Sequence, residues 1–245
     1  MSGPMRVAAI IQARMGSTRL PGKVLRPLAG SSLIAHIARR LGASARVDRV
    51  AVATTTAPAD DLVELEAARL GLFCFRGSEE DVLGRYLGAA RQLEADVIVR
   101  ITADCPLIDV GVVDRIVDGR AATGCDYASN TMRRTYPRGL DAEALTRATL
   151  EWLDAVAMPG AAREHVTWLV HRRPGQFTRL SIEDDVDGSD LRWTVDTEDD
   201  WSLVERLYRD LDLAHREVPY RAILAHVRAN PALGLINAHV EQKTA

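Results

Sequence analysis

Within twelve residues the chain gathers two glycines, two hydroxyl side chains and three cations: Gln12-Ala13-Arg14-Met15-Gly16-Ser17-Thr18-Arg19-Leu20-Pro21-Gly22-Lys23. Gly16 and Gly22 allow close backbone approach, and Ser17 and Thr18 add hydroxyl and N–H donors. Arg14, Arg19 and Lys23 supply charge-assisted hydrogen bonds, so the set suits the phosphates of a polyanionic ligand. The apolar run Arg6–Ile11 reads as a strand, which puts the loop at a strand's carboxyl end, where open parallel sheets bind ligands. The loop is not a Walker A motif: one residue too many separates the glycines, and Val24 follows the lysine in place of Ser or Thr. Nor is it G-x-G-x-x-G. A basic surface turn has the same composition, so the residues alone leave both readings open.

The elements that must position this loop follow from periodicity. Arg6–Ile11, Arg49–Thr54, Leu72–Phe75 and Val97–Thr102 are short apolar or β-branched runs, read as buried strands. Helical spacing over Ser32–Leu41, Asp60–Leu70 and Asp81–Leu93 alternates with them, with Ser31 or Ser32 as a cap and Gly71 as a stop. This order predicts an α/β fold, a doubly wound and mostly parallel sheet with right-handed crossovers. Further helices are expected over 110–122, 145–156, 161–171, 201–211 and 220–228, and strands near 177–182 and 192–195. One domain over 1–245 is expected, with 126–190 as an inserted or appended segment.

Composition narrows the class. Cys74, Cys105 and Cys125 show no C-x-x-C spacing, which argues against a disulfide framework or zinc site and fits a reducing cytoplasm. No apolar run approaches the roughly 20 residues that span a bilayer, and the start lacks a signal-peptide pattern. A soluble cytoplasmic protein with no membrane partner is the expectation. Charge is uneven: no acidic residue precedes Asp48, whereas Glu183 to Asp200 is strongly acidic with only Arg192 among the carboxylates. A polyanion at the first region and a cation at the second would account for this, as would solvated faces. With aromatics at 5% and a pI near 6.1, no nucleic-acid partner is expected.

The run Ile10–Lys23, IIQARMGSTRLPGK, resembles the signature loop of the sugar-acid cytidylyltransferases, the CMP-Kdo and CMP-sialate synthetases. The nearer likeness is to the branch typified by the spore-coat polysaccharide biosynthesis protein SpsF. Six further segments resemble that branch in order: 49–54, Arg76-Gly77, 100–108, 127–130, 163–167 and 192–197. The resemblance implies a GT-A-like nucleotidyltransferase fold with a small inserted dimerisation and acceptor segment. It implies transfer of CMP from CTP to a sugar acid or related anionic acceptor, with Mg²⁺ and release of pyrophosphate, in surface polysaccharide or related biosynthesis. Family members are commonly homodimers through 126–190, which implies a homodimer here.

Residue by residue, the resemblance makes Arg14, Lys23 and Asp104 catalytic. It assigns the nucleotide to Gln12, Ala13, Arg14, Gly16, Ser17, Arg19, Lys23, Thr54, Arg76, Thr102 and Asp104, and Mg²⁺ to Asp104 and Asp196. The acceptor falls to Asn130, Arg138, Asp141, Arg163, Glu164 and His165. Plainer readings stand beside several of these: a structural ion pair for Arg19, ordinary strand-end residues for Thr54 and Arg76, a helix cap for Asp196, a helix-surface histidine for His165. Cys105 lacks a base partner and reads as packing. One departure concerns the nucleotide: CMP-Kdo synthetases carry Gln-Gly-Asp-Glu-Pro where this chain has Thr102-Ala103-Asp104-Cys105-Pro106. Thr102 thus replaces a residue that helps hold the nucleotide. Two other functions are weighed. A glycosyltransferase using a nucleotide sugar would carry D-x-D, which neither Asp104-Cys105-Pro106 nor Asp187-Gly188-Ser189 supplies. A non-catalytic nucleotide-binding subunit would be expected to lack Lys23, Asp104 or Asp196, and all three are present.

Overall fold

Strands that are buried on both faces must be apolar throughout; the first, second and fourth are rich in Val, Ile and Ala, while the third, Phe73-Cys74-Phe75-Arg76-Gly77, is a half-buried edge strand. In the computed structural model, which describes residues 5–173 and 175–242, they are β1 (Val7–Gln12), β2 (Arg49–Thr55), β3 (Phe73–Gly77) and β4 (Val97–Thr102). All four are parallel, and α1 (Leu33–Gly42), α2 (Asp61–Arg69) and α3 (Val82–Gln92) connect them. Ser32 caps α1 by accepting from the Ala35 N–H, and its apolar face Leu33, Ile34, Ile37 and Leu41 is fully buried. Asp81 caps α3 through the Gly84 N–H.

Seven strands share one sheet in the order β3-β2-β1-β4-β6-β5-β7. The strand order reverses between β1 and β4, and a doubly wound sheet opens its ligand crevice at that point. Gln12 and Thr102, the last residues of those two strands, lie in register there. After α4 (Val110–Thr123) come β5 (Tyr127–Ser129), β6 (Glu143–Thr146), α5 (Arg147–Val156), α6 (Ala161–Glu164), α7 (Trp168–Arg172) and β7 (Arg179–Ser181). β6 is antiparallel to both β4 and β5, while β7 runs parallel to β5. The 126–190 segment therefore completes the main sheet. The chain ends in α8 (Glu198–Leu211), α9 (Tyr220–Ala229) and α10 (Pro231–Leu235).

Periodicity misplaces three elements. The helix expected over 145–156 starts at Arg147, because Leu145 and Thr146 belong to β6 and Thr146 is the helix cap. The helix expected over 161–171 is broken between α6 and α7, where Val166 has φ 29°, a conformation that a β-branched residue rarely takes. Residues 192–195 form no ladder strand; Arg192 makes a single bridge to Arg138. Among the described residues no helix is long and apolar enough to cross a membrane.

Candidate active site

The loop after β1 is shaped by its own backbone. Gly22 at φ 70° turns the chain back so that its N–H reaches the Met15 carbonyl, and Asp60, buried before α2, accepts from the Met15 N–H at 2.6 Å. Ser17 Oγ accepts from the Leu20 N–H. The result is a cleft of about 260 Å³ lined by Gln12, Ala13, Arg14, Gly16, Ser17, Thr18, Arg19, Lys23, Thr102, Asp104 and Asp196.

Asp104 and Asp196 lie 92 residues apart in the chain, and the segment 191–196 brings them together. The Val195 N–H donates to the Asp104 carbonyl at 2.8 Å. On its other side this segment pairs with Arg138, through Trp193 N–H to the Arg138 carbonyl and Arg138 N–H to the Leu191 carbonyl. Such close approach needs Gly139: at φ 107°, a Cβ there would meet Thr194 N at 2.4 Å. Gly139→Ala is expected to cost roughly 3 kcal/mol or more, because the strained φ and the backbone clash add. Urea unfolding measures this, and a midpoint equal to wild type would refute the close-packing account.

Lys23 joins the two carboxylates. Its Nζ donates to Asp196 Oδ1 at 2.8 Å and to the Val195 carbonyl at 2.6 Å, and lies 3.6 Å from Asp104 Oδ2. Arg19 and Arg192 both reach Asp196 Oδ2, at 2.8 and 2.7 Å. Burial disfavours the charged form of Asp196, yet these three cations hold its carboxyl below the usual carboxylate range. Thr102 donates to Asp104 Oδ1 at 2.6 Å. Burial and the adjacent Asp104 push the Cys105 thiol well above its ordinary value, in keeping with a packing role.

A second cleft, about 170 Å³, opens on the far side of Asp104 and Asp196 and is also lined by Arg100, Arg138, Asp141, Glu143, Thr194 and Gln242. Asp141 is held bidentate by Arg134 at 2.6 and 2.9 Å, and the half-buried Arg100 pairs with Glu143 at 3.0 Å. A third cavity, about 450 Å³, shares Gln12 and Arg14 with the loop cleft and adds Glu79, Glu80, Val82, Gly160 and Glu164. The Gln12 Oε1, buried and without a hydrogen-bond partner, belongs to this junction.

Several expected site residues lie elsewhere. Thr54 is fully buried, and Arg76 is spent on the Thr55 and Ala57 carbonyls, Asp61 and Glu64, fastening the β2–α2 connection. Both belong to β2 and β3, outside the crevice at β1 and β4. Asn130 is buried and bridges the Leu140 carbonyl and the Ala142 N–H, so it shapes the 130–142 loop from within. Arg163 ties α6 to Asp81 and Asp154. His165 lines a further cavity with Trp168, His171 and Arg172 that shares Arg100 and Glu143 with the second cleft, and Glu164 faces the third cavity instead of the second. Asp196 is not a helix cap: Thr197 caps α8 in a capping box with Asp200. Most of the rest of the acidic run is paired with basic side chains, with Asp184 and Asp185 on Arg221, Asp190 on Arg228, Glu198 on Arg26 and Asp199 on His239, and among the described residues it forms no cation site. Glu79, Glu80 and Gln242 have no sequence signal that marks them; only the fold brings them to the clefts.

Two carboxylates around one ammonium are a place that already accepts a cation. Among the described residues no group of three or more His, Cys, Asp or Glu side chains converges on a metal position. The residues that could hold a divalent ion such as Mg²⁺, which binds through one or two carboxylates with phosphate and water as its other ligands, are Asp104 and Asp196.

A sequence profile of the cytidylyltransferase family matches residues 8–184. The spore coat polysaccharide biosynthesis protein SpsF of Bacillus subtilis is 33% identical over 207 residues, 82% of this chain and 85% of its own. The solved structure of a cytidylyltransferase from Leptospira borgpetersenii superposes with TM-score 0.89 at 32% identity, over 99% of this chain and 100% of that one. CMP:2-keto-3-deoxy-manno-octonic acid synthetase, solved in complex with CTP, shares the fold with TM-score 0.66 at 20% identity, over 84% of this chain and 99% of its own.

Proposed function

The chain belongs to the cytidylyltransferase family, a family of nucleotidyltransferase enzymes, and from that premise we propose that it transfers CMP from CTP to a small anionic acceptor, a sugar acid or a close relative. The observation that carries this reading is the meeting of Lys23, Asp104 and Asp196 between the loop cleft and the second cleft. In the second cleft Arg138 brings a guanidinium with no ion pair among the described residues, suited to an acceptor's carboxylate. Beyond the loop cleft, in the third cavity, Glu79, Glu80 and Glu164 would repel an anion but accept hydrogen bonds from an amino group and ribose hydroxyls. The unpartnered Gln12 Oε1 asks for a donor at the same place. The nucleoside is therefore assigned to the third cavity, the triphosphate to the loop cleft and the acceptor to the second. The CTP bound in the synthetase of the same fold supports the choice of triphosphate.

In the reaction an acceptor oxygen attacks the α-phosphorus, the bond from that phosphorus to the bridging oxygen breaks, and pyrophosphate leaves with the electron pair. The acceptor's proton passes to solvent. Arg14, Arg19 and Lys23 bind and orient the triphosphate and stabilise charge on the departing oxygens; Arg138 orients the acceptor. Asp104 and Asp196 would hold Mg²⁺, which supplies charge neutralisation and a lowered acceptor pKa when bound. No covalent intermediate is required. A second copy of the chain as partner also belongs to this reading, and sedimentation of the purified chain tests it.

The decisive experiment is a pyrophosphate-release screen of four nucleoside triphosphates against a panel of sugar acids and phosphonates with Mg²⁺, with CTP binding followed by calorimetry. Turnover with CTP and one acidic acceptor is expected. No turnover with any pair, together with no CTP binding, would sink the proposal.

A further inference from the structure

Every loop cation assigned to phosphate is already paired with a carboxylate of this chain. Arg14 holds Glu79 at 2.8 Å, Arg19 holds Asp196 at 2.8 Å, and Lys23 sits against both Asp196 and Asp104. The last group is well enclosed: Lys23 is only 8% exposed, and its third partner, the Val195 carbonyl, keeps the ammonium between the carboxylates. Resting on the reading above, we propose that Lys23 is the resident counter-cation of the Asp104–Asp196 pair, so that a divalent cation and CTP each bind well only when the other is present.

The argument is one of charge pairing. A divalent cation arriving alone must share Asp104 and Asp196 with an ammonium 3.6 and 2.8 Å from their respective oxygens, and like charges in a partly buried site repel strongly. A triphosphate arriving alone draws Lys23 and Arg19 away and leaves two carboxylates exposed to its own negative charge. Arriving together, the two ligands exchange partners with the protein: the loop cations turn to phosphate oxygens and the carboxylates to the metal. No buried charge is then left unpaired, which would otherwise be costly. Arg192 stays on Asp196 throughout, because it is also anchored by Asp200 at 2.8 Å. Coupling of this kind is reciprocal, so each ligand must tighten the other by the same factor.

The test uses Mn²⁺ as a spectroscopic probe, with free Mn²⁺ measured by electron paramagnetic resonance on the full chain. CTP is titrated by calorimetry with and without Mn²⁺, and the Mn²⁺–CTP complex in solution is included in the fit. In the wild type each ligand is expected to tighten the other by about tenfold or more, within the usual range of such couplings. In Lys23→Met, Mn²⁺ alone should bind about tenfold tighter than in the wild type, and the coupling should shrink. Equal Mn²⁺ affinity with and without CTP in the wild type would overturn the inference while leaving the site assignment intact. So would unchanged binding of Mn²⁺ alone in Lys23→Met. Failure of the wild type to bind CTP even with Mn²⁺ would overturn the underlying assignment instead. The wild-type comparison requires no variant, so it stands even if Lys23→Met folds poorly.

Discussion

Asp104→Asn should lower kcat by about 10²-fold or more while leaving the fold intact, the loss typical of removing one preorganised electrostatic contact. The fold is expected to survive because the anchoring of residue 104 is mostly backbone: its carbonyl accepts from the Val195 N–H, and asparagine keeps an oxygen for Thr102. What the substitution removes is negative charge at the one place where Lys23 and Asp196 converge. Pyrophosphate release and thermal unfolding together read the result. A wild-type rate would remove Asp104 from the machinery, and a collapsed melting temperature would make its role structural.

The second large effect concerns Arg192, which sequence inspection left unassigned. Its guanidinium is 9% exposed and is shared among Asp200 at 2.8 Å, Asp196 at 2.7 Å and Gln242 at 2.6 Å. Asp200 is fully buried, and leaving a buried carboxylate short of its cation costs about 3–5 kcal/mol. Arg192→Met should therefore lower the melting temperature by roughly 10 °C or more for a chain of this size. It should also change the acid limb of stability. Asp196 titrates below the usual carboxylate range in the folded state, so its contribution is full at neutral pH and is lost as pH falls through that lowered value. With Arg192 gone the carboxyl is held less firmly, and unfolding should begin at a higher pH. Urea midpoints measured across the acid range check both; an unchanged midpoint at neutral pH would show that Asn237 and the α8 cap suffice to hold Asp200.

These residues also show what was legible in the chain beforehand. The first four strand–helix units could be read because each strand is a continuous apolar run and each helix shows one buried stripe. β6 could not: of Glu143–Thr146 only Ala144 and Leu145 are apolar, and the run passes straight into α5. At the site, Lys23 was identifiable from the basic loop, whereas Asp104 and Asp196 were marked by the family resemblance, and the fold brings the three together. Thr54, Arg76 and Asn130 occupy equivalent-looking positions, but Thr54 and Asn130 turn inward and Arg76 turns to the β2–α2 connection, since a polar residue at a strand end reads the same whichever way its side chain points. Arg138 reaches the second cleft beside the Gly139 packing, a contact between segments more than fifty residues apart.

The residues after α10 return to the centre of the molecule. Asn237 is buried and donates to Asp200 Oδ1 and to the Arg192 carbonyl, Glu241 offers its carbonyl to Arg19, and Gln242 lines the second cleft. The Lys23 loop is thus made early but gains Asp196 only 173 residues later, and the contacts of 237–242 later still, so its paired arrangement is among the last to form during synthesis. Residue 5, by contrast, precedes β1 at the end of the sheet remote from the clefts, whereas Gln242 stands in the wall of the second cleft.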